Sequence, residues 1–333
     1  MFWIDATDDR PDEKRTLKIM LRMVVLLTGL ILTAGWMGGC RKEQAPRDVV
    51  TLYTSIPEPV SSVIISLFTR QTGIEVNVVR RPDSATAVYW DQGVFEMITR
   101  ADAGALAKYS SPSANGVLAQ FKDPQGFWSG VGVRARVIAY RADERWTKPP
   151  AGVWDLTKPE FKGRLVMARP AVGLSGGYAA ALYQLWGEQK TKDFYTALHR
   201  NDVRLVTNDA TVADEVGRGA FVAGLTDSND CAVILSEGGK LESLLPDQKE
   251  MGTLVVPTTV ALAAGADQQP PARQLVDYLL SEQVEHKLIQ MHFAGWSVRR
   301  ESTDMKPMEV DYRELARLMP QAIAESTAIL EGR

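Results

Sequence analysis

The chain has 333 residues, too many for one small module and enough for two lobes of ~100–200 residues each. Hydrophobic residues make up 45% and charged residues 24%, values that exclude a disordered chain, a collagen-like repeat and a polytopic membrane protein. A formal net charge of −3 and only two cysteines exclude a broad phosphate-neutralising surface, a disulfide-rich scaffold and a cysteine-based metal cluster.

In chain order, residues 23–37 (MVVLLTGLILTAGWM) form an apolar run shorter than the ~20 residues a helix needs to cross a bilayer. Lys14, Arg15, Lys18 and Arg22 precede it, and Gly38-Gly39-Cys40 follows. A charged start, an apolar middle and a small-residue end make residues 1–39 a signal peptide. Its end resembles the bacterial lipobox, which implies lipidation of Cys40; the alternative is an ordinary signal peptide with a chance cysteine. The acidic residues before Lys14 are unusual for such a segment and point to a later start, at Met20. Residues 40–47 read as a polar tether. Once Cys40 is lipidated, Cys231 has no internal disulfide partner.

Residues 48–53 (DVVTLY) read as a strand. Val60, Val63, Ile64, Leu67 and Phe68 then recur at helical spacing, Gly73 stops the helix, and residues 74–79 (IEVNVV) alternate as a second strand. A third strand is expected at 87–90 (AVYW) and a helix at 94–106. Only residues 80–86 separate the second and third strands, whereas a parallel crossover needs about a dozen. The two therefore either pair as a hairpin around Pro82-Asp83-Ser84 or sit apart in the sheet. Long β segments follow at 131–140 and 253–263, the latter broken by Pro257. Between them the expectation is strands at 165–168, 203–206 and 221–225, with helices at 178–186, 193–199 and 212–218. Helices at 273–280, 283–292 and 312–330 end the chain. Alternating strands and helices make this an α/β protein with a parallel sheet.

Several segments, in order, resemble the solute-binding proteins of bacterial ABC importers, of the ferric-iron-binding type. They are LYTSIPEPV (52–60), FTRQTGIEV (68–76), VYW (88–90), the stretch from 111 to 140, VWDLTKPEFKGRLVMARPAVGLSGG (153–177), TNDATVADEVGRGAFVAGLTD (207–227) and GTLVVPTTVAL (252–262). The resemblance implies a two-lobed, type II periplasmic-binding-protein fold with two crossing β-strands as hinge. Lobe 1 would comprise 48–135 plus 258–300, and lobe 2 would comprise 136–257 plus 301–333. It further implies a monomer, lipid-anchored on the periplasmic or extracytoplasmic face of a membrane. Such a protein captures Fe(III) with a bound anion and delivers it to the permease subunits of an ABC transporter, without catalysis.

Three departures from the family pattern stand out. Relatives carry a helix where this chain has only residues 80–86. An acidic iron ligand three residues after the tryptophan is replaced by Gly93. Asn229 and Asp230 stand where paired tyrosines supply phenolates, the donors that suit hard Fe(III). Asp227 and Asp230 are then the candidate cation ligands or partners of an amine; the alternative is a solvated acidic loop. A binder of a small anion, such as a phosphonate or carboxylate, or of an amine without iron is the runner-up.

Other candidates carry their own alternatives. Tyr53 and Ser55 end the first strand, at the edge where open α/β sheets bind ligands. Trp90 either walls the cleft or packs in the core. Arg134 and Arg136 share a strand face and suit bidentate anion binding or a structural ion pair. Ser175, Gly176 and Gly177 with the following helix start, and Asn208 before another, suit an anion or simply cap helices. Gly173-Leu174-Ser175-Gly176-Gly177 also matches GxSxG, a nucleophile elbow. The rival class is therefore an exported serine hydrolase with Ser175, Asp214 or Asp227, and His286 or His292; four residues between strand and Gly173 argue against it.

Overall fold

A computed structural model describes residues 48–141 and 149–333. The expected leader, the tether and Cys40 lie outside the described residues.

The first strand, β1 (Val49–Thr54), leads into α1 (Glu58–Thr72), which buries Ser61, Ile64 and Phe68. Gly73 ends α1 with φ 76°, a left-handed position that costs glycine least. Strands β2 (Glu75–Val79) and β3 (Val88–Asp91) both run parallel to β1, one on each side. The short link between them is therefore no hairpin: the two strands sit apart, separated by β1. Arg80 fastens the link by donating from Nη1 to the carbonyls of Thr54 (3.0 Å) and Ile56 (2.6 Å).

Helix α2 (Phe95–Asp102) and a two-residue strand, β4 (Leu106–Ala107), precede the long β5 (Trp128–Arg141). Then come β6 (Leu165–Ala168), α3 (Leu174–Trp186), α4 (Glu188–Arg200), β7 (Arg204–Val206), α5 (Asp209–Gly217), β8 (Ala223–Asp227), α6 (Ser228–Ser236) and β9 (Leu241–Leu244). Strand β10 (Val255–Ala263) and helices α7 (Pro270–Leu279), α8 (Glu282–Gln290) and α9 (Tyr312–Leu330) complete the order.

The strand order is β2-β1-β3-β10-β5-β8-β6-β7. Strand β5 belongs to both halves of this path. Its residues Trp128–Ala135 pair antiparallel with β10, and Arg136–Arg141 pair with β8 and β9. Strand β10 pairs with β5 from Val255 to Ala261 and with β3 and β4 from Thr259 to Ala263. These are the two crossing strands of a two-lobed α/β fold. The β10–β5 ladder slips register at Pro257–Thr259: Gly130 faces Thr259 and Val133 faces Pro257, so β5 carries one extra residue there. Gly132 takes φ 73° within this bulge.

Three local expectations fail. The helix expected at 94–106 stops at Asp102, and Leu106 belongs to β4. Helix α3 begins at Leu174, not Tyr178, so Ser175, Gly176 and Gly177 lie in its first turn. The acidic segment after β8 is a helix, α6, with Asp227 as its N-cap, rather than a loop. Helix α9 lies against α3 and α4 and touches the first half through α2.

Candidate functional site

A cleft between the two halves is lined by strand ends and helix starts. From the first half come Tyr53 and Ser55 at the end of β1, and Asp91, Gln92, Gly93 and Glu96 at and after the end of β3. From the second come Gly173 and Leu174 after β6, Asn208 and Asp209 after β7, and Asp227, Asn229 and Asp230 after β8. Arg134 enters from the crossing strand. This is the carboxyl edge of the sheet, where α/β proteins place ligands.

Sequence reasoning missed three acids of the cleft, Asp91, Glu96 and Asp209, of which Asp91 is the most enclosed. It ends β3 and is only 4% exposed. Its Oδ1 accepts hydrogen bonds from Ser55 Oγ (2.9 Å) and the Gly93 amide (3.3 Å). Its Oδ2 is buried and has no hydrogen-bond partner among the described residues. Burial pushes its carboxyl above the usual carboxylate range, against the pull of the Ser55 hydrogen bond. Glu96, half-buried one helical turn on, is raised by burial and then by Asp91. The missing signal was positional: an acidic residue closing a parallel strand beside β1 belongs to the ligand edge, wherever a motif expects its acid.

Ser55 is thus a positioning group. Its Oγ also accepts from the Gln92 amide (2.9 Å), and its carbonyl accepts from the Gln92 side chain (2.7 Å). The Tyr53 ring is half-buried against Tyr89, edge-on at 5.8 Å, with the Arg100 guanidinium 5.2 Å from its centroid.

Two arginines of β5, Arg134 and Arg136, are each held by a carboxylate. Arg134 donates to Asp227 Oδ2, to Asn229 Oδ1 (3.3 Å) and to the Gln92 carbonyl (2.7 Å), so one guanidinium touches both halves. Arg136 pairs with Asp209 at 2.5 Å. The other Asp227 oxygen accepts from the Asn229 amide, capping α6. Both oxygens of Asp227 are therefore committed, which corrects its reading as a free cation ligand. Asp230 is not so held: burial, then the charges of Asp227 and Asp209, push its carboxyl up to about 7. Among the described residues, no group of three or more His, Cys, Asp or Glu side chains stands converged on a metal position.

Several expected contacts move away from the cleft. Trp90 is 0% exposed; it packs in the core and does not wall the site. Ser175 Oγ bonds within its own loop, accepting from the Ala171 amide (3.2 Å). The Gly176 and Gly177 amides donate to the carbonyls of Ala171 and Gly173, both at 2.8 Å. They have no N–H left for an anion. These glycines are small for packing reasons. A Cβ at Gly176 would lie 2.4 Å from the Ala171 carbonyl, and one at Gly177 would lie 2.4 Å from the Phe95 ring. Asn208 does reach the cleft, but its Oδ1 caps α5 by accepting from the Thr211 amide (2.8 Å) and hydroxyl (2.9 Å). Among the described residues the hydrogen-bond partner of Ser175 Oγ is the Ala171 backbone and not a histidine. His286 lines a separate groove with Ile64 and Tyr278, and Asp214 faces Arg218.

A family model described as bacterial extracellular solute-binding protein matches residues 50–294. The chain belongs to that family. An uncharacterised protein of Haemophilus influenzae is 27% identical over 208 residues, 58% of either chain. The chain thus spans somewhat under two thirds of that relative's length. Iron uptake protein A1 of Synechocystis is 23% identical over 312 residues, 84% of this chain and 86% of that one. Among solved structures, apo ferric ion-binding protein A of Pasteurella haemolytica superposes with a TM-score of 0.75 at 21% identity, covering 85% of this chain and 98% of that one. The periplasmic binding protein AfuA of Actinobacillus pleuropneumoniae, with fructose-6-phosphate bound, gives 0.69 at 20% identity, covering 86% and 97%. For this solute-binding protein these superpositions establish the two-lobed fold, and the cleft must speak for the ligand.

Proposed function

We propose that this protein is the ligand-capturing subunit of an ABC importer, anchored through a lipid on Cys40. Its lobes, 48–135 with 258–300 and 136–257 with 301–333, close on a hard cation of the Fe(III) type, with a small anion completing the coordination. The observation that carries this reading is a charge balance. Once Arg134 and Arg136 are matched to Asp227 and Asp209, the cleft keeps three further carboxylates, Asp91, Glu96 and Asp230. Burial holds all three above their usual pKa. A cation entering the cleft relieves that cost, whereas an anion deepens it. Carboxylates and the Tyr53 phenol are oxygen donors, which suit hard cations. The relatives named for iron point the same way. Bringing the three together requires closure about β5 and β10, the hinge mode of two-lobed binders.

The test is a titration of the purified protein with ferric citrate, followed in the visible spectrum. With Tyr53 the only tyrosine lining the cleft among the described residues, the tyrosinate-to-iron band should be weak and paler than in tyrosine-rich relatives. Asp230→Ala should weaken binding at least tenfold. Binding of an organic amine in place of iron, lost in the same variant, would move the ligand class to amines. Tighter binding of a carboxylate or phosphonate in Asp230→Ala would overturn the cation reading.

The anchor is tested separately. Cys40→Ser should release the protein into the soluble exported fraction and abolish incorporation of labelled fatty acid. A variant that stays membrane-bound, beside a wild type that takes up no label, would refute lipidation.

A further inference from the structure

Helix α9 is fastened to the second half along its length. Glu325 accepts from Tyr183 (2.7 Å) and pairs with Lys192 (3.0 Å), Glu331 pairs with Arg169 (2.7 Å), and the Leu330 carbonyl meets His199 Nδ1 (3.1 Å). Its first turn is held differently. Arg313 reaches into the first half, with Nη1 2.8 Å from Asp102 and Nη2 2.9 Å from Asp123. The Asp123 side chain has no exposed surface, and its other oxygen is spent on the amides of Gln125 and Phe127, both at 3.1 Å. Next to it, the Tyr312 hydroxyl donates to the Val255 carbonyl at the start of β10 (2.9 Å), and its ring meets Phe95 of α2 edge-on at 6.2 Å.

We infer that Arg313 is a latch between the lobes, one that sets how far the cleft opens through contacts outside the cleft itself. The body of α9 must travel with the second half when the lobes hinge. The guanidinium fork ties that moving body to fixed carboxylates of the first half. Tyr312 keeps the turn beside the crossing strands, so the arc it sweeps is short. Hydrogen bonds of 2.8–2.9 Å nonetheless weaken steeply once stretched beyond about 3.5 Å, so a swing of about an ångström breaks them. The relative position of the lobes seen here is therefore one the latch favours. A ligand shifts that balance only by binding one arrangement better than the other, and the latch sets the starting population. No residue of the latch lines the cleft, so its effect on opening is separable from contact with the ligand.

The experiment places spin labels at Glu58→Cys and Val172→Cys, exposed positions on opposite rims of the cleft. The background is Cys40→Ser; Cys231 is 1% exposed and stays unlabelled. Distance distributions by double electron–electron resonance are compared without ligand. Arg313→Ala should raise the long-distance population severalfold. Arg313→Lys, which keeps the charge but loses the fork, and Asp102→Asn, which removes one exposed arm, should each shift it partway. A wild-type distribution in folded Arg313→Ala would show that the turn is only a pivot and would overturn the latch. If Arg313→Ala does not fold, Asp102→Asn decides: an unchanged distribution there overturns it equally.

Discussion

Asp227→Ala is expected to destabilise the protein by about 3–5 kcal/mol, because it leaves a buried arginine without its counter-charge. The side chains of Arg134 and Asp227 are 7% and 4% exposed, so water from the cleft compensates only a small part of the lost contact. The same change removes the cap of α6, where the Asn229 amide donates to Asp227, worth about 1 kcal/mol on its own. A urea titration of wild type and variant measures the loss. The paired replacement Arg134→Met with Asp227→Leu should recover most of it, since the penalty lies in the uncompensated charge and not in the absence of an ion pair. A single variant that unfolds at the wild-type midpoint would mean that Arg134 finds another partner, with Asn229 and the Gln92 carbonyl already in contact.

Trp90→Ala should cost a similar amount, about 3–5 kcal/mol, the usual range for truncating a buried aromatic to alanine. Trp90 sits on the central strand β3, between Thr54 of β1 and Val260 of β10, with no exposed surface. Its Nε1–H is buried without a hydrogen-bond partner among the described residues, so Trp90→Phe removes an unsatisfied donor along with some packing and should cost much less. The urea midpoint should fall with the slope unchanged. A cleft-wall residue would behave in the opposite way, with stability intact and ligand affinity lost.

Trp90 also shows what could be read from the sequence. Its place in a short strand was plain from the run VYW, but a strand buried on both faces gives no alternation to say which side meets ligand. The α/β class, the two crossing strands and the family were all legible, because each rests on periodicity and on the order of many segments. Tyr53 and Ser55 were legible as ligand-edge residues because they close or follow a strand, and Asp227 and Asp230 came only through the family resemblance; all four line the cleft. The glycine loop was misread. Glycine punctuates helices by propensity, and GLSGG therefore looks like a turn. Gly176 and Gly177 are helical nonetheless, since Ala171, Ile323 and Phe95 leave no room for a Cβ. Long-range packing of that kind leaves no local trace in sequence. Helix α6 was missed for a related reason: its start, TDSND, is polar throughout, and its capping logic appears only when Asp227 is known to end a strand.

The extra residue in β5 has a consequence for side-chain phase. Along a strand, odd and even positions look in opposite directions, and one inserted residue reverses the assignment beyond it. Gly130 and Val133, three apart, share a face because they oppose Thr259 and Pro257. Arg134 therefore shares its face with Ser129, not with Gly130. In a regular β5 the stretch beyond the bulge would be turned over, and Arg134 and Arg136 would point away from Asp227 and Asp209. Charge in the cleft thus depends on a glycine that does not line it, and removing a single residue at Val131 or Gly132 would reverse the strand's polarity of facing from that point to Arg141.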